Sequence, residues 1–131
     1  MAHILVVDDD FELRSTVRLI LESAEHRVSE AVNGVDGLEK VITSVKGGAE
    51  DEIEVAVIDL MMPQKDGVMM IQEALAKSPR LKIIAISGGQ GGNPAWLPIA
   101  KAAGAMRIMK KPFSREQLLR NVQEVLAETW T

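Results

Sequence analysis

The sequence places carboxylates, a hydroxyl and amines directly after short apolar runs. They are Asp8, Asp9 and Asp10, then Asp59, Ser87, Lys110 and Lys111. Clustered carboxylates raise one another's pKa values, so such a group needs a compensating cation. Mg²⁺ suits two carboxylates with waters and a phosphate, and a lysine ammonium adds a further positive charge. The combination predicts phosphoryl chemistry, in which one carboxylate attacks phosphorus and the cations stabilise the transferred group.

Each of these residues also has an ordinary structural explanation. An aspartate after a strand often caps a helix, which applies to Asp10. Asp59 precedes Met-Pro-Gln-Lys-Asp-Gly, which is strong turn chemistry, and Ser87 alone would be a strand-end hydroxyl. A Lys-Lys pair is usually solvated. Because these groups follow apolar runs in four separate parts of the chain, we interpret them as one site with Asp59 as the nucleophile.

Five short apolar runs supply the strands that would position these groups. They are Ile4–Val7, Val28–Val32, Val55–Ile58, Ile83–Ile86 and Met106–Met109. Three are continuous and rich in Val and Ile, which is typical of strands buried on both faces of a parallel sheet. The segments between them carry helical spacing, so β-α repeats five times and predicts a doubly wound α/β fold. In such a sheet, ligands gather at the carboxyl ends of the strands.

Local signals set the expected boundaries of helices and loops. Ser114 with Gln117 forms a capping box that opens the last helix, and Asp9, with a glutamate three residues on, offers the same at the first. The polar stretch Thr43–Glu54 predicts a long loop before the third strand. The glycine-rich stretch Gly88–Pro98 predicts a second irregular loop, of a length that is usually functional or mobile.

Composition bounds the class of protein. A chain of 131 residues with 47% apolar residues matches one domain with one sizeable core. The net charge of −4 argues against the broad basic surface of a nucleic-acid binder, and the lack of cysteine excludes disulfides and thiolate metal sites. The start, MAHILVVDDD, has neither a cationic segment nor a long apolar run. We expect a cytoplasmic protein without membrane insertion or direct nucleic-acid contact.

Four segments resemble the receiver domain of bacterial response regulators. They are ILVVDDD at the start, VIDLMMPQKDG in the middle, IIAISG at the fourth strand and KKPF near the end. Any one segment would be weak, but their combination is specific and extends over essentially the whole chain, residues 1–131. The resemblance implies one CheY-like receiver domain with a (βα)5 flavodoxin-like fold and strand order 2-1-3-4-5.

The resemblance also implies roles for the acidic residues. Asp8 and Asp9 would organise Mg²⁺, with Asp9 as a direct ligand and Asp8 acting through water. Asp59 would be both the phosphoacceptor and a metal ligand. The backbone carbonyl of Met61 would complete the protein ligands.

Two further roles follow from the same resemblance. Ser87 would be the switch hydroxyl, and Lys111 would contact the phosphate, with an expected cis bond to Pro112. Lys110 is the weaker lysine candidate. The family's aromatic switch residue, three positions before the lysine, is here Ile108, so the usual aromatic route of signal transmission is missing.

The loop after Ser87 is a second departure, because GGQGGNPAW stands where the family has a more ordinary helix entry. Gly88 would leave room beside a phosphate. Trp96 is a candidate for a partner-binding face, with packing against the fourth helix as the equal alternative.

The resemblance implies a function in a two-component phosphorelay. A sensor histidine kinase or a histidine phosphotransfer protein would donate the phosphoryl group to Asp59. Phosphorylation would shift a population of two states and so switch contacts with a downstream protein target or an output domain. Phosphotransfer and slow hydrolysis would be self-catalysed, so we do not expect a turnover enzyme. Homodimerisation stays open.

Three other functions remain as alternatives. A small haloacid-dehalogenase-like phosphatase would use Asp8 and Asp10 in a DxD pattern, although the chain is short for one. A flavin or nucleotide binder would need a phosphate-cradling loop where three acids stand, and aromatics make up only 3% of the sequence. A non-phosphorylated receiver scaffold would not need the acids, hydroxyl and lysine together.

Overall fold

Five parallel strands alternate with five helices in the computed structural model, which describes residues 2–60, 67–88 and 96–128. The strands are β1 (His3–Val7), β2 (Arg27–Ala31), β3 (Val55–Asp59), β4 (Lys82–Ser87) and β5 (Arg107–Lys110). The helices are α1 (Phe11–Ser23), α2 (Gly34–Lys46), α3 (Gly67–Lys77), α4 (Trp96–Ala103) and α5 (Arg115–Ala127). The sheet order is β2-β1-β3-β4-β5. The doubly wound fold and its strand order are therefore confirmed.

The sheet separates two hydrophobic layers. On one face, alternate strand residues such as Leu5 and Ile58 pack with α2, α3 and α4; on the other, Val6 and Val57 pack with α1 and α5. Successive residues of a strand point to opposite faces, so a strand covered on both sides must be apolar throughout. This explains the continuous runs of β1, β3 and β4. The edge strand β2 is only half-buried, which explains its weak apolar signal.

Several predicted boundaries were wrong. Asp10, not Asp9, caps α1, and its side chain accepts hydrogen bonds from the first turn. The predicted loop Thr43–Glu54 begins too early, because α2 continues to Lys46. In this segment the buried Ser44 hydroxyl donates to the Val41 carbonyl, so a polar residue belongs to the packed face of α2.

The remaining boundaries differ less. Strands β2 and β5 lie one residue away from the predicted runs, and α4 begins at Trp96, inside the predicted loop Gly88–Pro98. The capping box predicted at Ser114 is present, and α5 ends at Ala127. Within the described ranges, every helix is too short or too polar to cross a membrane.

Candidate functional site

The carboxyl ends of four strands bring the predicted chemical groups to one edge of the sheet. Val7 and Ile58 are paired across β1 and β3, so Asp8 and Asp59 stand one step further along neighbouring strands. Ser87 ends β4, and Lys111 follows β5 directly. The parallel register of the sheet thus places groups that are far apart in the sequence beside one another.

Three carboxylates form the centre of this edge. Asp8, Asp9 and Asp59 each offer an oxygen, and these oxygens all lie within 4.8 Å of one another. Asp8 and Asp59 are each only 2% exposed, whereas Asp9 is open to solvent. Buried carboxylates of like charge are unfavourable unless a cation compensates them. An all-oxygen set of this kind, half open to water, fits a hard divalent cation such as Mg²⁺.

Lys111 places a positively charged side chain beside these carboxylates. Its Nζ donates to Oδ2 of Asp59 at 3.0 Å, and the Asp59 side chain is 3% exposed. The bond from Lys111 to Pro112 is cis, as expected. The neighbouring Lys110 is exposed and instead lines a cavity of about 310 Å³ between α4 and β5. The geometry therefore separates the two lysines and joins only Lys111 to the acids.

The environment of Asp8 shifts the pKa of its carboxyl strongly. Burial raises the pKa of Asp8 to about 6, and the charge and hydrogen bonding of Asp59 add to the rise. The backbone N–H of Asp10 and the ammonium of Lys111 act in the opposite direction. A proton on Asp8 and a divalent cation at the same site relieve the same repulsion, so they compete.

Comparison with known proteins identifies the family. The sequence profile of the response regulator receiver domain matches residues 4–123. This chain belongs to that family. It is a CheY-like receiver domain of two-component signalling.

Individual relatives cover this receiver domain almost completely. Sensor kinase CckA of Brucella abortus is 33% identical over 95% of this chain, which corresponds to only 12% of the kinase. Chemotaxis protein CheY of Treponema pallidum is 30% identical over 95% of this chain and 82% of that protein. The crystal structure of a CheY-like receiver domain from Methanospirillum hungatei JF-1 superimposes with a TM-score of 0.83 at 27% identity, covering 96% of this chain and 94% of that one.

Asp10 does not share the position of the other acids in this receiver domain. Its Oδ1 accepts from the backbone N–H groups of Glu12 at 3.0 Å and Leu13 at 3.4 Å. Its own N–H donates to Oδ1 of Asp8 at 2.8 Å. The Asp10 carboxylate is thus committed to the first turn of α1, which disfavours a phosphatase that pairs it with Asp8.

Some of the other predicted residues lie within the described ranges, and others do not. Ser87 is buried at the end of β4, and its carbonyl accepts from the Lys111 N–H at 3.1 Å. Ile108 is half-buried on β5, beside the cavity between α4 and β5. Met61, the Trp96 side chain and most of the loop after Gly88 lie outside the described residues.

Two residues next to the site were not predicted from the sequence. Arg14 is 8% exposed, and its Nη1 donates to the backbone carbonyl of Asp8 at 2.8 Å. The signal for it was helical spacing, since Arg14 lies three and seven residues before the buried Val17 and Leu21. Gly67 opens α3, and a Cβ there would lie 2.8 Å from the carbonyl oxygen of Asp59. A glycine is required at that close approach.

Proposed function

We propose that this receiver domain accepts a phosphoryl group on Asp59 from a phosphohistidine and that phosphorylation changes its contacts with other proteins. The donor would be a sensor histidine kinase or a histidine phosphotransfer protein. The observation that carries the proposal is the buried Asp59 carboxylate, held by Lys111 at 3.0 Å within a group of three acids. Family membership and the likeness to a sensor kinase and a CheY protein support it.

Asp59 would act as the nucleophile. One carboxylate oxygen attacks phosphorus and forms a P–O bond, the P–N bond of the phosphohistidine breaks, and its electron pair returns to the imidazole nitrogen. Lys111 already contacts the Asp59 carboxylate and is close enough to neutralise charge on the phosphoryl oxygens. Ser87, at the end of the neighbouring strand, would donate a hydrogen bond to one of those oxygens.

Asp8, Asp9 and Asp59 would hold Mg²⁺, with the Met61 carbonyl as a further expected ligand. When bound, the ion would offset the charge of the carboxylates and of the transferred phosphoryl group. Before that, Asp8 keeps its place through the Asp10 N–H, which donates to its Oδ1. The buried position of Asp8 and Asp59 limits the water that competes for the site.

The output would be a change in protein contacts, and catalysis would be limited to the domain's own phosphorylation and slow dephosphorylation. A contact between Ser87 and the phosphoryl group would bias the loop and helix that follow β4. Ile108 has no aromatic ring to rotate, so transmission to the face formed by α4 and β5 would use the helix itself.

The direct test is phosphorylation with acetyl phosphate and Mg²⁺, read as a shifted band on a Phos-tag gel. Wild type should shift only with the metal, and Asp59→Asn should not shift. Asp10→Asn is the matched control, because that residue caps α1 and should shift like wild type. A band that shifts equally in Asp59→Asn would move the nucleophile elsewhere and revive the phosphatase that uses Asp8. A wild type that never shifts would favour the scaffold.

A further inference from the structure

An ion network, buried at Arg14 and exposed at Arg18, connects α1, the edge strand β2 and the acidic site. The Nε of Arg14 donates to Oε1 of Glu30 at 2.9 Å, and its Nη1 donates to the carbonyl of Asp8 at 2.8 Å. Arg18 binds the other oxygen of the same carboxylate at 2.6 Å. The Glu30 carboxylate thus binds two arginines that are one helical turn apart. Of the two, Arg14 also contacts the acidic site, through the carbonyl of Asp8.

The Arg14 bond completes a series of three fixed peptide groups. The Asp8 N–H donates to the Ala31 carbonyl at 3.1 Å, which fixes the peptide before Asp8. Arg14 holds the Asp8 carbonyl, which belongs to the same planar unit as the Asp9 N–H. The Asp10 N–H bonds the Asp8 side chain at 2.8 Å, which fixes the third unit. Asp9 therefore projects from two peptide planes that are both held in place.

We propose that Arg14, clamped by Glu30, is a positioning residue that preorganises the acidic pair for its divalent cation. This inference rests on the proposed Mg²⁺ site. Asp9 is exposed, so its carboxylate has little packing to fix it, and the peptide on which it stands sets its direction. The planar guanidinium can serve two acceptors at once in a fixed geometry. Outer contacts of this kind commonly change metal affinity by roughly 10–100-fold.

The sign of the effect separates positioning from simple electrostatics. Arg14 is a cation near the acids, so its removal by charge alone should strengthen the attraction for Mg²⁺. Loss of positioning should weaken Mg²⁺ binding instead, because the Asp8–Asp9 peptide becomes free to turn. Arg18 provides the matched control, since it carries the same charge and binds the same glutamate but is 46% exposed and bonds Glu30 and Glu22 on the surface.

The experiment is a calorimetric titration of the metal-free proteins with Mg²⁺ at constant ionic strength. Arg14→Gln should raise the dissociation constant on the order of 10-fold. Arg18→Gln should leave it unchanged or slightly lowered. Urea unfolding of each variant confirms that the titrated protein is folded. If Arg14→Gln does not fold, Arg14→Lys decides: it keeps the charge but cannot serve Glu30 and Asp8 in one fork, so it should bind more weakly than wild type.

Three results would overturn the inference. They are a folded Arg14→Gln with wild-type or tighter binding, an equal loss in both glutamine variants, and, where only the lysine variant folds, an unchanged affinity in Arg14→Lys. Each of these leaves wild-type Mg²⁺ binding intact. A wild type that binds no Mg²⁺ is a different outcome, because it removes the proposed metal site itself.

Discussion

Charged side chains have different surroundings at the two ends of the sheet. At the amino end, Arg27 meets the Asp51 carboxylate and the Glu50 carbonyl, and His3 lies between the Ser29 hydroxyl and the Asp51 carbonyl. Lys82 donates to two carbonyls at the end of α5. At the carboxyl end, among the described residues, oxygens of Asp8, Asp9 and Asp59 lie within 4.8 Å of one another, and Lys111 binds Asp59 at 3.0 Å. The charges at the amino end are paired with a carboxylate or with carbonyl oxygens, whereas the like charges held together at the carboxyl end fit a bound cation.

The largest difference between the ends should appear when Lys111 is removed from the acidic site. Lys111→Met leaves Asp59 without the ammonium that would stabilise the phosphoryl group. We expect the rate of phosphorylation by acetyl phosphate to fall by roughly 100-fold or more. Lys110→Met is the control, since that residue is exposed and faces another cavity. Similar losses in both variants would mean that general charge, not the contact with Asp59, controls the rate.

The next largest effect should come from the backbone contact behind Asp59, the proposed phosphoacceptor. A Cβ on Gly67 would lie 2.8 Å from the Asp59 carbonyl oxygen and 2.9 Å from the Leu60 Cα, so α3 must move. Gly67→Ala should cost about 1–3 kcal/mol of the free energy of unfolding, measured in urea. Gly47→Ala, whose new Cβ would meet the side chain of Asp51 in an exposed loop, should cost much less. A small cost in both variants would show that α3 adapts easily.

The burial of Asp8, with the charge of Asp59 beside it, should also make the metal-free protein less stable at neutral pH. Because the pKa of Asp8 is raised to about 6 in the fold, its stabilising contribution is present at low pH and is lost as pH rises through about 6. Asp8→Asn, which keeps the acceptor for the Asp10 N–H, should therefore be about 1–3 kcal/mol more stable than wild type at neutral pH. The gain should vanish below the unfolded pKa of aspartate. Saturating Mg²⁺ should reduce or reverse it.

A smaller pH effect of opposite sign should come from the amino end. His26 accepts a hydrogen bond from the Ala2 N–H at 3.1 Å, and burial lowers the pKa of its imidazole below 6.5. The stabilisation by neutral His26 is present above pH 6.5 and is lost as pH falls through the lowered pKa. The stability difference between wild type and His26→Gln should shrink by under about 1 kcal/mol across that range. A difference that grows on acidification would contradict this assignment.

The sequence predicts the acidic site better than it predicts the site's supports. Asp8 and Asp59 were found because buried parallel strands are apolar throughout and the first polar residue marks their end. After the fifth run that rule gives Lys110, and only the family resemblance selected Lys111. Arg14 was missed because an arginine in a helix is normally solvated, and only the packed structure shows its two acceptors.

The boundary errors have similar physical causes. Thr43–Lys46 reads as a polar loop, yet Ser44 satisfies its hydroxyl within α2 and accepts from the Ile53 N–H at 3.2 Å. Asp9 and Asp10 are equivalent as cap candidates by type, and the direction of the chain after β1 selects Asp10. A local sequence pattern does not distinguish a polar residue exposed to solvent from one that is hydrogen-bonded inside the core.

The contact from Lys111 to Asp59 spans 52 residues, and Asp8 joins the group from the other end of the chain. Long loops must therefore close before Asp59 and Lys111 join the acidic pair, and that closure is slow relative to helix formation. Partial unfolding that detaches β5 would remove Lys111 from the acids at once. A divalent ion would instead be held by acids at the ends of β1 and β3, so its binding is linked to the separation of these two strands and should slow hydrogen exchange in them.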